Sequence, residues 1–466
     1  MYNIYMLYTK LFLGVISLFG LISSISATEY TDSALKDQIT SLPGLNTDIN
    51  FNQFSGYLRL ADTNKYIHYW LVESESDPST DPLVFWTNGG PGCSGLIGFM
   101  TEQGPFRPDK DGNLNLNDWR WNKISNMVFI EQPVGVGFSY SDNSDDYKIG
   151  DDQAAIDNLH TILSFLEKFP KFNSSPLYIT SESYGGHYMP MLAQNIIEYG
   201  KLNFKGFAVG NPYTNYYSGI GAEIETYWGK QLISQPSWNK YVSNGCLDTV
   251  NQFNNSICTV LILDFMNMIG NLNPYALDYP VCVTAQQTWM SNYIRGDLVK
   301  MHPNMPIKDS YEPCEDSYST EYLNNVNVKN SIHVHTDIVW EECSRTVKYE
   351  YIDKLKPMEH YYNSILNSKS NPDVRILVYS GDDDSVCGTI GTQKWIWDLG
   401  FPVKSEWKTW MVDGQTAGYT THFKTPFSND PRLSFITVHY AGHEVPTYKP
   451  KEAFILFQSY LNNDYN

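Results

Sequence analysis

Charge is scarce in this chain of 466 residues, and it is lopsided. Charged side chains make up 18%, with 51 acidic against 32 basic residues and a formal net charge of −19. A surface of that sign repels phosphates, which argues against a general nucleic-acid-binding role. None of the seven cysteines has CxxC spacing, so a zinc ribbon or a dithiol redox site lacks its framework. Beyond the N-terminal region no stretch is long and apolar enough to cross a bilayer, and there is no internal repeat or low-complexity tract. What the chain has in quantity is apolar material, 42% hydrophobic and 15% aromatic. That is ample for a large core and incompatible with disorder as the dominant state.

The N-terminal region has its own layout. Lys10 is the only charge before Glu29, Leu11–Ile22 is a short apolar run, and small residues follow at Ser23, Ser24, Ser26 and Ala27. This is the pattern of a secretory signal over residues 1–27, with no membrane span once it is removed. The expected destination is secreted or lysosomal/vacuolar. In an oxidising compartment six of Cys93, Cys246, Cys258, Cys282, Cys314, Cys343 and Cys387 can pair, and one is left over. Glycosylation sequons begin at Asn173 and Asn254.

Strand and helix patterns alternate on both sides of a segment of different character. Phe54–Leu60 and Lys65–Val72 read as a hairpin across ADTN, and Leu83–Thr87 and Met127–Ile130 as short buried strands. Gly150–Lys168 reads as an amphipathic helix with Ile156, Leu159, Leu163 and Leu166 on its inner face. Strands follow at Leu177–Thr180, Phe204–Val209, Arg375–Ser380 and Leu433–His439. Helices are expected near Thr389–Leu399 and from Pro450 to Leu461, the latter burying Ala453, Leu456, Phe457 and Tyr460. Residues 215–321 mix asparagine, proline and aromatics and hold four of the cysteines. The expectation is one α/β domain, 28–214 and 322–466, interrupted by a cap insertion at 215–321.

The chemistry centres on LYITSESYGGHYMP, Leu177–Pro190. A strand meets a cramped turn with Ser183 at its tip, and an apolar-periodic helix follows. That order describes a nucleophile elbow, with Ser181 where G-x-S-x-G has its first glycine. A serine nucleophile needs a base, an acid to orient the base, and donors for the oxyanion. Acid candidates are Asp382, Asp383 and Asp384 in GDDDSVCG, and position alone leaves all three open. His443, in a Gly-led loop after a strand, is the candidate base. His187 lies on the elbow's own helix and points along it, and His439 reads as a structural residue inside its strand. His333-Val-His335 lacks a local carboxylate or cysteine set, so neither a metal nor another cofactor is expected.

WTNGGPGCSG, FIEQPVGVGFSYS, ITSESYGGHY, GNPYT, YSGDDDSVCG and HYAGHEVP occur in that order, and through them the chain resembles the serine carboxypeptidases. The resemblance implies an α/β-hydrolase fold, a central mixed, mostly parallel sheet flanked by helices with an inserted cap. It implies a triad of Ser183, Asp384 and His443, and an oxyanion hole from the backbone N–H groups of Gly90 and Tyr184. It also implies a carboxylate-binding cluster of Asn88, Glu102 and Glu182, with peptide or protein C-termini as substrate and binding favoured at acid pH. Two carboxylates facing a third must carry at least one proton. By the same resemblance Cys93 pairs with Cys343, Cys246 with Cys258 and Cys282 with Cys314. Cys387 is then a free thiol near Asp384. A homodimer is the candidate assembly. Ser181, Gly388 and Glu444 stand where many relatives have glycine, asparagine and methionine, which bears on pH profile and substrate preference. Two alternatives use the same scaffold: an acyltransferase, in which an alcohol replaces water, and a non-catalytic protective or binding homologue.

Overall fold

The computed structural model describes residues 30–248, 255–282 and 314–465. The expected signal segment and the sequon at Asn254 lie outside the described residues. Asn173 is exposed, at the end of a short helical turn.

The short runs rich in β-branched and aromatic residues become strands of one large mixed sheet. In chain order these are β1 (Gln53–Arg59), β2 (Lys65–Val72), β3 (Leu83–Thr87), β4 (Asn126–Ile130), β5 (Leu177–Glu182), β6 (Phe204–Gly210) and β7 (Arg375–Gly381). The last three are β8 (Val403–Val412), β9 (Gln415–Phe423) and β10 (Leu433–Val438). Their spatial order is β1-β2-β4-β3-β5-β6-β7-β10-β9-β8. From β4 to β10 every neighbouring pair is parallel, and an antiparallel stretch closes each end.

The central strands are buried on both faces, so their side chains supply two cores in alternation. Along β3, Leu83 and Phe85 join one core while Val84 and Trp86 join the other. The first core packs against the helices Asp151–Lys168, Gly185–Tyr199, Glu359–Leu366 and Thr389–Asp398 through residues such as Phe165, Leu192, Tyr362 and Trp395. The second packs against Leu96–Thr101 and Pro450–Asn462 through Phe99, Leu456 and Phe457. The inner face expected for the last helix, Ala453, Leu456, Phe457 and Tyr460, is buried.

The Asp151–Lys168 helix corrects its expected face. Ile156 is exposed, and the buried stripe runs through Ala154, Ala155, Asn158, Thr161, Ile162, Phe165 and Leu166. Its polar members have partners: Asn158 donates to Gln132 Oε1 at 3.1 Å, and the neighbouring buried Asp157 meets Lys65 at 2.5 Å. Satisfied polar side chains can occupy a core face that hydrophobicity alone assigns to leucine and isoleucine.

The asparagine- and aromatic-rich segment is helical over much of its described length, with Ala222–Gly229, Gln235–Ser243 and Ser256–Ile269. These helices enclose a small core of their own that includes Ile224, Tyr227, Tyr241, Leu261 and Phe265. The disulfide Cys246–Cys258 lies in that core, and Cys282–Cys314 and Cys93–Cys343 are also formed.

The sheet's far side depends on one buried cation. Arg432, 1% exposed just before β10, donates to the carbonyls of Val374, Leu366, Ile365 and Asn371 at 2.9–3.0 Å. It ties the end of the Glu359–Leu366 helix to the entries of β7 and β10. Arg432→Ala removes all four bonds and leaves the buried carbonyls of Val374 and Leu366 without this donor. The expected cost is about 3 kcal/mol or more of unfolding free energy, read as a lowered thermal midpoint. A variant within about 0.5 kcal/mol of the parent would contradict this role.

Candidate active site

Parallel pairing aligns the strand ends: Glu182 is opposite Gly210, Gly210 opposite Tyr379, and Gly381 opposite Val438. The turns after β5, β6, β7 and β10 therefore converge on one edge of the sheet, where open α/β sheets bind ligands. There Asn88, Gly90, Glu182, Ser183, Tyr275, Glu342, His443, Glu444 and Thr447 line a cavity of about 310 Å³.

Ser183 has φ of 57°, a left-handed conformation that costs a non-glycine residue roughly 1–2 kcal/mol. The surroundings hold it there. Its N–H donates to Gly210 O at 2.9 Å, and its carbonyl accepts from Gly186 N at 2.9 Å and Tyr213 N at 2.7 Å. Gly89 lies so close that a Cβ on it would stand 2.5 Å from Tyr184 N and 2.8 Å from Ser183 Cβ. Ser181, at the motif's irregular position, is accommodated by hydrogen bonding. Its hydroxyl donates to Thr87 O at 2.6 Å and fills the space that a side chain on Gly185 would need.

The three neighbouring aspartates take separate partners. Asp384 Oδ2 is 2.8 Å from His443 Nδ1, Asp382 meets His439 at 2.6 Å, and Asp383 meets Lys230. Asp384 also accepts from Val386 N at 2.8 Å, Cys387 N at 3.1 Å and Asn211 Nδ2 at 2.8 Å. An ionised carboxylate only accepts, so the bond between His443 and Asp384 is donated from the imidazole Nδ1–H. The backbone N–H of His443 donates to Tyr275 O at 2.7 Å, and the Tyr275 ring meets the imidazole edge-on at 4.9 Å. His443 is 2% exposed, whereas Ser183 is partly open. Cys387 is a free, buried thiol, and burial pushes its pKa well above the usual value.

Beside Ser183, Asn88 donates from Nδ2 to both Glu102 Oε1 and Glu182 Oε1, each at 2.8 Å. Its own Oδ1 is held by Trp86 Nε1 at 2.8 Å and Gly98 N at 3.0 Å, so the amide cannot turn. Burial raises Glu102 to about 7, against the hydrogen bonds from Asn88 and Glu182 and the pull of His443 and Arg107. Glu182 rises well above the usual range, through burial first and then the charges of Glu102 and Glu444. The pair therefore retains a proton in mild acid.

Other buried histidine–carboxylate pairs lack an opening. His68 lies 2.8 Å from Glu131 Oε2 and 2.9 Å from Ser55 Oγ, with all three residues sealed in the interior. His187 lies 3.0 Å from Asp151 on the underside of the elbow. His439 stands just past the end of β10 and is half-exposed rather than inside the strand, paired with Asp382. His333 meets Ser55 O at 3.0 Å, and His335 packs on Tyr57 and Tyr140. Sequence reasoning assigned no role to Asn211, although GNP follows its strand directly. Tyr275 gave no signal at all, because it arrives from the distant asparagine-rich segment.

A family model described as serine carboxypeptidase matches residues 43–463. Serine carboxypeptidase 24 of Arabidopsis thaliana is 37% identical over 91% of this chain and 92% of its own length. The lysosomal protective protein of Mus musculus is 32% identical over 92% of this chain and 94% of its own. Among solved structures, a prohormone-processing carboxypeptidase from Saccharomyces cerevisiae superposes with a TM-score of 0.74. It covers 93% of this chain and 97% of that one at 21% identity, a likeness of fold.

The geometry predicts selective reactivity at one serine. A fluorophosphonate should modify Ser183 and no other serine, read by peptide mass mapping. His443→Ala should slow the labelling about 10³-fold or more. Equal labelling of both proteins would remove His443 as the base.

Proposed function

The chain belongs to the serine carboxypeptidase family, and from that premise we propose that it removes single amino acids from the free C-termini of peptides and proteins in mild acid. The observation that carries this reading is the buried Glu102–Glu182 pair held by Asn88 beside Ser183. A protonated pair can donate to a terminal carboxylate, a charged acceptor that the neutral carbonyl of an internal peptide bond does not match. The substrate's last carbonyl is thereby set over the nucleophile.

In the proposed reaction His443 Nε2 takes the Ser183 proton as Oγ attacks that carbonyl carbon. The backbone N–H groups of Gly90 and Tyr184 hold the tetrahedral oxygen, each such donor being worth about 3 kcal/mol. The C–N bond then breaks, and His443 returns the proton to the departing amine. Water, deprotonated by the same imidazole, cleaves the acyl-enzyme and frees Ser183. Asp384 keeps the imidazole in the Nδ1–H tautomer and stabilises its charged form, with Asn211 anchoring the carboxylate.

In this reading the division into 28–214, 215–321 and 322–466 is that of a hydrolase core with a cap inserted over its cavity. The disulfides suit a lysosomal, vacuolar or extracellular destination through the secretory pathway, and the sequon at Asn173 is open to glycosylation.

N-blocked dipeptides assayed between about pH 4 and 8 test this. The expected result is release of the terminal amino acid, lowered about 10⁴-fold or more in Ser183→Ala. The Michaelis constant should rise as pH passes about 7, where Glu102 loses its proton. The negative charge gained at Glu102 repels the substrate carboxylate, so binding is strongest below that range. Glu182→Gln should weaken the pH dependence. Transfer of the acyl group to an added alcohol without amino-acid release would sink the peptidase reading in favour of an acyltransferase.

A further inference from the structure

Glu102 sits where a helix runs out of partners. The helix Leu96–Thr101 ends at Glu102, whose own backbone has left the helical region with φ of −118° and ψ of −106°. The last carbonyls of a helix need outside donors. Here they come from side chains. Arg107 donates to Thr101 O and, at 2.8 Å, to Glu102 O. Asn117 Nδ2 reaches Glu102 O at 3.0 Å, and Thr447 Oγ1, on the segment following His443, reaches Thr101 O at 2.9 Å. Thr447 borders the cavity on one side and on the other an outer groove lined by Arg107, Asp118 and Trp119. Arg107 thus grips the main chain of Glu102 from outside the cavity, and Thr447 links the same turn to the base's loop.

From this geometry we infer that Arg107 is a positioning residue for the carboxylate-binding pair, holding Glu102 in place and setting the pH at which the enzyme releases its grip on free C-termini. The inference rests on the peptidase reading above. Charges from several elements act on the pair. The charges of Glu102 and Glu444 favour a retained proton on Glu182, while His443 and Arg107 favour loss of the proton from Glu102. Tyr379, Tyr275 and Cys387 are all pushed towards their neutral forms by burial. Of these groups Arg107 alone is a permanent cation. A simple helix cap would need only the donors, whereas control of acidity needs the charge.

The test compares Arg107→Lys, which keeps the charge, with Arg107→Gln and Arg107→Met, which lose it. The Michaelis constant of an N-blocked dipeptide is followed against pH, and fluorophosphonate labelling of Ser183 reports that each protein is folded. Loss of the cation removes a force favouring ionisation, so the alkaline rise should move upward in the neutral variants. It should stay near the parent value in Arg107→Lys. An N-blocked dipeptide amide, which has no terminal carboxylate, should show no such displacement. Either neutral variant suffices if the other does not label. A midpoint unmoved in the neutral variants, or moved equally by lysine, overturns the inference while leaving the peptidase intact. A parent enzyme that releases no amino acid at any pH overturns both.

Discussion

Parallel pairing with aligned strand ends is the constraint on which the rest of this molecule depends. Register puts Glu182, Gly210, Gly381 and Val438 at one edge, so whatever follows each strand is brought to the same place. Ser183, Asn211, Asp384 and His443 are far apart in the chain, and no local motif could assemble them. The two cores, filled by alternate residues of the same strands, keep that edge rigid. Arg432 contributes from the opposite end by joining the entries of β7 and β10.

Much of this was legible in sequence, because the informative segments are those with little freedom. Leu83–Thr87 and Lys65–Val72 coincide with their expected strands, since runs of β-branched and aromatic residues between turns have few other uses. The β8–β9 hairpin was missed. Most of β8 is exposed at the sheet's edge, so burial never imposed an apolar pattern on it. The inner face of the Asp151–Lys168 helix was misread because Asn158 and Thr161 are buried with partners. Of the site, Ser183 and His443 stand out by their turns. The choice among Asp382, Asp383 and Asp384 needed the family resemblance, and in the structure each takes a different partner: a surface histidine, a lysine and His443.

The polar interior also shows why a constellation is a poor guide without a cavity. Ser55, His68 and Glu131 form a hydrogen-bonded serine–histidine–carboxylate series in which both imidazole nitrogens have partners. Ser55 spends its hydroxyl proton on Ile332 O at 2.7 Å, and Glu131 is further held by Trp340 Nε1 at 2.8 Å. Every group is satisfied and none meets solvent, so the series pins strands together. At His443 the same chemistry opens on one side, where Ser183 and the cavity lie. What separates the two series in this fold is access.

The buried glutamate pair has a thermodynamic side as well. An unfolded chain presents Glu102 to water with an ordinary carboxyl pKa near 4.5, whereas the native environment lifts it to about 7. Between those values the native state holds a proton that the unfolded chain has released. Lowering the pH through that window therefore strengthens the native state at this position, and a calorimeter would register it as proton uptake on folding. An acidic compartment would then act on this protein as a ligand does, with hydrogen ions favouring the form that binds them.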